Sequence, residues 1–301
     1  MLPSPAIAVE GLRVSYGRRE VLRGIDLRVA AGEVFALLGP NGAGKTTTVS
    51  VLTTLVRPTA GAVLVGGVDV RRDPEGVKRR ISLTGQSAAV DEMLTGRENV
   101  VMFARLAGLP RREAATRATE LLARFGLVDA ADKGVRTYSG GMRRRLDLAL
   151  SVVVPPEILF LDEPTTGLDP RSRLQLWDAI RDLARGGTTI LLTTQYLEDA
   201  DQLADRVAVI DGGRIVALDT PALLKARVGG TSIEVHDEDG RLLRTVPTDG
   251  TLAGVRAALD ALPDAPGDAV TLRRPTLDDV FLALTGGHPH ADDALPVKEL
   301  A

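Results

Sequence analysis

The 301-residue chain has no cysteine, which excludes disulfides and thiolate metal sites and leaves the redox compartment unread. Aromatic residues make up only 3%. A core must therefore be built from Ala, Val, Leu and Ile, and stacking on nucleic-acid bases has little to work with. Surplus positive charge is missing too: 37 Lys and Arg stand against 40 Asp and Glu, a formal net charge of -3. That is no footprint for a polyanion, and nucleic acid is not an expected partner. Long apolar runs are absent. Ile190-Leu191-Leu192 and Val152-Val153-Val154 fall far short of the roughly 20 residues that a membrane-spanning helix needs. Met1-Leu2-Pro3-Ser4-Pro5 lacks the basic and then apolar pattern of a secretory signal. The chain is expected to be soluble on its own and cytoplasmic.

What is present is an apolar fraction of 44%, enough for a real core, in a length that suits one large domain with an appendage, or two domains. The chain is organised around Gly39-Pro40-Asn41-Gly42-Ala43-Gly44-Lys45-Thr46-Thr47, which fits the G-x-x-x-x-G-K-[ST] phosphate loop. It follows the apolar run Val34 to Leu38, read as a buried parallel strand, and opens onto a helix expected from Thr46 to Val56. Backbone N–H groups of such a loop point inward around phosphate oxygens, helped by the positive end of the helix dipole. Lys45 is expected at the β and γ phosphates, and Thr46 has the hydroxyl for Mg²⁺.

A second apolar run, Ile158-Leu159-Phe160-Leu161, ends in Asp162-Glu163-Pro164. Carboxylates at the carboxyl end of a buried strand lie where open α/β sheets bind ligands. Asp162 is placed to hold Mg²⁺ directly or through water, and Glu163 to orient or deprotonate an attacking water. Between these strands, residues 97–125 read as helices broken at Gly108-Leu109-Pro110. Thr137-Tyr138-Ser139-Gly140-Gly141-Met142 then opens a further helix with Ser139 suited to its N-cap; by itself this is only a capped helix. Strands are expected at residues 7–14, 22–29, 62–65, 81–84 and 188–194, and a hairpin at 207–217. Tyr16 is open to two readings, an adenine-stacking ring or a half-buried strand-end aromatic. Near Gly229-Gly230 the pattern restarts as a small α+β unit without phosphate or metal motif, with Val280, Phe281 and Leu284 as an apolar helix face. Two histidines in the tail, His288 and His290, are read as solvated and not as a metal site.

Taken in order, these segments resemble the nucleotide-binding subunit of ABC transporters over about residues 6–225. The motifs are the Walker A loop at Gly39 to Thr46, a Q-loop at Gln86, the signature Tyr138-Ser139-Gly140-Gly141-Met142, Walker B at Ile158 to Asp162 followed by Glu163, and a D-loop at Gly167-Leu168-Asp169. A closer resemblance, to the ATP-binding subunits of daunorubicin/doxorubicin-resistance exporters, rests on Leu83-Thr84-Gly85-Gln86, Arg136-Thr137-Tyr138, Thr193-Thr194-Gln195-Tyr196-Leu197-Glu198 and Pro275-Thr276-Leu277-Asp278-Asp279-Val280-Phe281.

The resemblance implies an α/β P-loop fold with a RecA-like core, an antiparallel β-subdomain and a helical subdomain at about 87–155. A small C-terminal accessory domain at 226–286 and a flexible tail at 287–301 would follow the nucleotide-binding domain, residues 1–225. It also implies ATP and Mg²⁺ as cofactors, Tyr16 on the adenine, Gln86 as a Mg²⁺ and coupling residue, and Glu163 as the catalytic carboxylate. Ser139, Gly140 and Gly141 would act on the γ-phosphate held by an opposite subunit, giving a homodimer around two ATP. Most such ATPases have histidine where this chain has Gln195, and the drug-resistance subgroup shares the glutamine; Gln195 is read as a γ-phosphate sensor, or else as a strand-end polar residue. The implied activity is ATP hydrolysis that drives export of a drug-like or amphipathic substrate through a separately encoded membrane permease, at the cytoplasmic face of the cell membrane. The competing expectation is a soluble ABC-type ATPase that remodels a ribosome or DNA complex.

Overall fold

The run Val34 to Leu38 is buried at every position, as are Ile158–Asp162 and Thr189–Thr194, the pattern of strands covered on both faces of a parallel sheet. A computed structural model describes residues 5–85, 89–262 and 269–285. In chain order its first elements are β1 (Ile7–Tyr16), β2 (Arg19–Val29), β3 (Val34–Leu38), α1 (Lys45–Leu52), β4 (Ala60–Val65), β5 (Val68–Asp69), α2 (Pro74–Lys78) and β6 (Ile81–Thr84). Three helices follow, α3 (Gly96–Leu106), α4 (Arg111–Arg124) and α5 (Gly140–Ser151). Then come β7 (Ile158–Asp162), α6 (Pro170–Arg185), β8 (Thr189–Thr194), α7 (Leu197–Leu203), β9 (Arg206–Asp211), β10 (Arg214–Asp219) and α8 (Pro221–Val228). The last are β11 (Ser232–His236), β12 (Leu242–Pro247), α9 (Leu252–Asp260), β13 (Ala269–Arg273) and α10 (Leu277–Thr285).

The chain divides into two units, residues 1–221 and 222–301. In the first, a six-stranded sheet runs in the order β10-β9-β3-β8-β7-β6. Its neighbours are parallel except for the β9–β10 hairpin. The carboxyl ends of β3, β8, β7 and β6 therefore share one edge, where α/β sheets bind ligands. Register sets Leu37 beside Thr193, and Thr193 beside Asp162.

A four-stranded antiparallel sheet, β2-β1-β4-β5, alternates buried and exposed side chains along β1 and β2. Its inward residues, among them Ile7, Val9, Leu12, Leu22 and Ile25, share one apolar cluster with Phe35, Leu37, Phe160, Leu191 and Ile210 of the parallel sheet. Val49, Val51 and Leu52 of α1 lie in the same cluster. Helix α1, Lys-Thr-Thr-Thr-Val-Ser-Val-Leu, is rich in β-branched residues that are weak helix formers. Packing holds it, at about 1.5–3 kcal/mol for each large aliphatic side chain fully buried. It ends at Leu52, short of the expected Val56: Thr54 has φ 64°, and the N–H groups of Leu55 and Val56 both turn back to the Ser50 carbonyl.

The helices expected between β6 and β7 are α3, α4 and α5. A capping box of Thr95 and Glu98 starts α3, and Ser139 caps α5 by accepting from the Met142 N–H. Arg117 of α4 donates to the carbonyls of Val152 and Val153, 2.9 Å each, beyond the last turn of α5, where carbonyls lack helical partners.

The second unit is a three-stranded antiparallel sheet, β12-β11-β13, with α9 and α10. Leu224, Ile233, Val235, Ala258, Leu277 and Val280 are its buried apolar residues among those described. The apolar face expected of the last helix is thus split, because Val280 is buried while Leu284 is 38% exposed. His288, His290 and the expected tail lie outside the described residues.

Candidate nucleotide site

Lys45 is the first residue of α1 and its side chain is 4% exposed. Its ammonium donates to the Gly39 and Pro40 carbonyls at 2.8 and 3.2 Å and lies 3.2 Å from Glu163 Oε1. All three of its protons thus have acceptors. The loop can close this tightly because Gly44 has φ 112° and a Cβ there would meet Leu22 Cδ2 at 2.5 Å, so only glycine fits on both counts.

At the end of β7 the two carboxylates diverge. Asp162 is buried and takes a hydrogen bond from Thr193 Oγ1 at 2.5 Å, and Thr46 Oγ1 lies 3.2 and 3.3 Å from its two oxygens. Glu163 departs from strand geometry with φ 49°, a region that non-glycine residues enter only when their surroundings hold them there. Its N–H donates to the carbonyl and hydroxyl of Thr193, at 3.1 and 3.0 Å. That turn swings the Glu163 side chain from the sheet toward Lys45.

These groups border a cleft of about 490 Å³ lined by Arg19, Val21, Pro40, Asn41, Gly42, Gly44, Lys45, Thr46, Thr47 and Glu163. Gly39 contributes its carbonyl to Lys45. Ala43 is buried and its carbonyl accepts from the Gly213 N–H. The adjoining Thr46 hydroxyl and Asp162 carboxylate are hard oxygen donors, a set that fits Mg²⁺, which takes one or two protein oxygens and completes its shell with phosphate and water. Among the described residues no group of three or more His, Cys, Asp or Glu could hold a metal by itself. Gln86 lies outside the described residues.

Tyr16 ends β1, 52% exposed and paired with Arg19 of the cleft; it is not among the lining residues. Gln195 follows β8 directly and is half-buried. Ser139 and Gly140 are exposed at the start of α5, and neither they nor Gly141 line the Lys45 cleft. Gly141 instead abuts α6: a Cβ there would meet Ser172 Oγ at 2.2 Å. Gly140 borders a separate hollow of about 440 Å³ with Arg143, Arg144, Glu163, Thr166, Gly167 and Leu168. In the D-loop, Asp169 accepts from the N–H and hydroxyl of Ser172, bonds that hold its carboxyl below the usual range.

Two residues central to this arrangement escaped the sequence reading. Thr193 bonds both Asp162 and the Glu163 backbone. Asp199, fully buried, accepts from Trp177 Nε1 at 2.8 Å, from Thr194 Oγ1 at 2.9 Å and from Thr165 Oγ1. It ties the segment after Glu163 to the end of β8, just before Gln195. The only local signal was polar residues inside or beside apolar runs.

A family model described as ABC transporter matches residues 22–166. The chain is 53% identical over 312 residues to the daunorubicin resistance ATP-binding protein DrrA3 of Streptomyces coeruleorubidus, covering 96% of this chain and 98% of that protein. It is 50% identical to the daunorubicin/doxorubicin resistance ATP-binding protein DrrA of Streptomyces peucetius, covering 97% and 95%. Among solved structures, cbiO1 from Clostridium perfringens, part of the ABC transporter complex cbiONQ, superposes with a TM-score of 0.69 at 27% identity, covering 74% of this chain and 91% of that one. An α/β P-loop fold and likeness along nearly the whole length agree: this chain belongs to the ATP-binding subunits of ABC transporters, and is an ATPase.

Proposed function

We propose that the chain binds ATP with Mg²⁺ in the Lys45 cleft and drives export of an amphipathic, drug-like compound through a separate membrane permease at the cytoplasmic face of the cell membrane. The observation that carries the site is the meeting of Lys45, Thr46, Asp162 and Glu163 on one sheet edge. Lys45 and the loop amides neutralise the β and γ phosphates, and Glu163 orients the attacking water. Thr46 and Asp162 would hold Mg²⁺, which when bound would supply further positive charge to the phosphates. No helix of the described residues is long and apolar enough to cross a membrane, and in this reading the pathway through the bilayer is the permease's.

Ser139, Gly140 and Gly141 stand outside the cleft of their own chain, at a helix N-terminus suited to an anion. They act on the γ-phosphate held by a second copy, so that two chains enclose two ATP. Export of a resistance compound rests on the named relatives, similar over nearly the full chain; no observation favours the ribosome or DNA remodelling alternative. Membrane vesicles that contain this chain and the product of a neighbouring permease gene test the whole reading. ATP-dependent uptake of doxorubicin into inverted vesicles, lost in Glu163→Gln, is expected. Mg²⁺-dependent ATP hydrolysis without any transport would keep the site and overturn the export role.

A further inference from the structure

One side chain on α5 connects that helix to both strand ends beside the cleft, and neither the cleft chemistry nor the signature motif uses it. Arg144 is only 11% exposed. Its Nη1 donates to the Gly85 carbonyl at 2.7 Å, just past β6, and its Nε donates to the Pro164 carbonyl at 2.8 Å, just past β7. Longer contacts of 3.3 and 3.5 Å reach the carbonyls of Asp162 and Glu163. We propose that Arg144 is a positioning residue for hydrolysis, fixing the Glu163 turn from its carbonyl side and tying that turn to the helix that begins at Ser139. The inference rests on the ATPase reading of the same site and adds to it a link between the signature helix and the catalytic carboxylate.

The geometry gives three reasons. First, Glu163 holds a left-handed backbone, φ 49°, which has to be maintained by its surroundings. Thr193 secures the N–H side of that residue, and on the other side the strongest bond to the turn is the one from Arg144 to Pro164 O. Second, a guanidinium offers five donors in a rigid planar fork. Two segments of backbone that converge from separate strands are held here by different nitrogens of one such group, Nη1 on Gly85 and Nε on Pro164, a spread that the single nitrogen of a lysine does not offer. Third, the charge is expensive to bury, and the fold accepts it. Burial pushes the Arg144 guanidinium down from its ordinary value, opposed by the nearby carboxylates of Asp147 and Asp162. Asp147, one turn along α5, lies 3.5 Å from Arg144 Nη1. Burial raises the Asp147 carboxyl, with the Ala89 N–H and Arg144 acting against it. A buried charge with this many backbone acceptors is a built contact between segments 59 residues apart, not a solvated surface arginine.

A movement of α5 would then reach the carbonyl side of the Glu163 turn through the guanidinium, while Arg144 itself makes no bond to Lys45 or the phosphate loop. The consequence is a separation of kcat from nucleotide binding. The test uses the full-length chain with Arg144→Gln and Arg144→Lys. Steady-state ATP hydrolysis, affinity for a fluorescent ATP analogue and the thermal midpoint are measured side by side with wild type. At least a tenfold fall in kcat is expected in both variants, with analogue affinity and KM within about threefold of wild type, and Lys no better than partial rescue. A kcat within twofold of wild type in Arg144→Gln overturns the proposal. So does a loss of affinity as large as the loss of kcat, since that is what a merely structural role produces. Failure of the ATPase reading is seen separately, as a wild-type chain that does not hydrolyse ATP.

Discussion

Lys45 Nζ and Glu163 Oε1 lie 3.2 Å apart, with their side chains 4% and 11% exposed. The phosphate-loop ammonium and the Glu163 carboxylate neutralise each other across the cleft. On the proposed reading, an incoming phosphate would compete with Glu163 for the ammonium and leave the carboxylate to take a water. Lys45→Ala removes the charge centred on the phosphates and strands Glu163. A charge-assisted hydrogen bond contributes roughly 1.5–3 kcal/mol, so ATP affinity should fall by at least about tenfold, and hydrolysis should disappear. Equilibrium titration and a phosphate-release assay check both, and unchanged turnover would overturn the site.

Glu163→Gln keeps the shape and backbone contacts of the turn but removes the carboxylate that we propose orients and accepts a proton from water. Hydrolysis should drop by about a hundredfold or more, within the range of a lost general base, while ATP stays bound. Two chains should then remain closed around two ATP. Light scattering after size exclusion reads this as a dimer with ATP and Mg²⁺ and a monomer without; a monomer under both conditions counts against the shared site.

Thr193→Val deletes the hydroxyl that donates to Asp162 and accepts from the Glu163 N–H at nearly constant volume. The residue is fully buried, so partners on both sides are left unsatisfied, a cost of about 1–3 kcal/mol in stability. Chemical denaturation should show that loss, and the Mg²⁺ concentration for half-maximal hydrolysis should rise as Asp162 loses its orientation. Thr193→Ser, which restores the hydroxyl, should return both measurements most of the way.

Gln195 follows the strand end that Thr194 and Asp199 secure. Its amide can donate to a γ-phosphate yet stays neutral, whereas histidine carries charge below about pH 6.5. If a donor is all that the site requires, Gln195→Ala slows hydrolysis by tenfold or more and Gln195→His retains activity. The histidine variant should also gain a pH dependence near the imidazole titration that wild type lacks. Wild-type rates in Gln195→Ala would leave the glutamine as a strand-end polar residue.

The sequence alone determined the phosphate loop, the Asp162-Glu163 strand end, the capped signature helix and nearly every strand, because each of these is written in adjacent residues: a glycine pattern, an apolar run, a cap. The short helices α2, α7 and α8 escaped it, having too few turns to show a period. Tertiary structure decided what stands beside what. Strand β8 inserts between β3 and β7, which puts Thr193 against Asp162, 31 residues away, and brings Thr46 within reach of a carboxylate 116 residues along the chain. Arg144 belonged to a run of three arginines at a helix start, and its reach to Gly85 and Pro164 comes from the docking of α5 on the sheet edge. Strand order and helix docking follow from burying apolar faces together, a global sum over the chain, so the partners they impose on single polar side chains leave no period or spacing in the sequence to read.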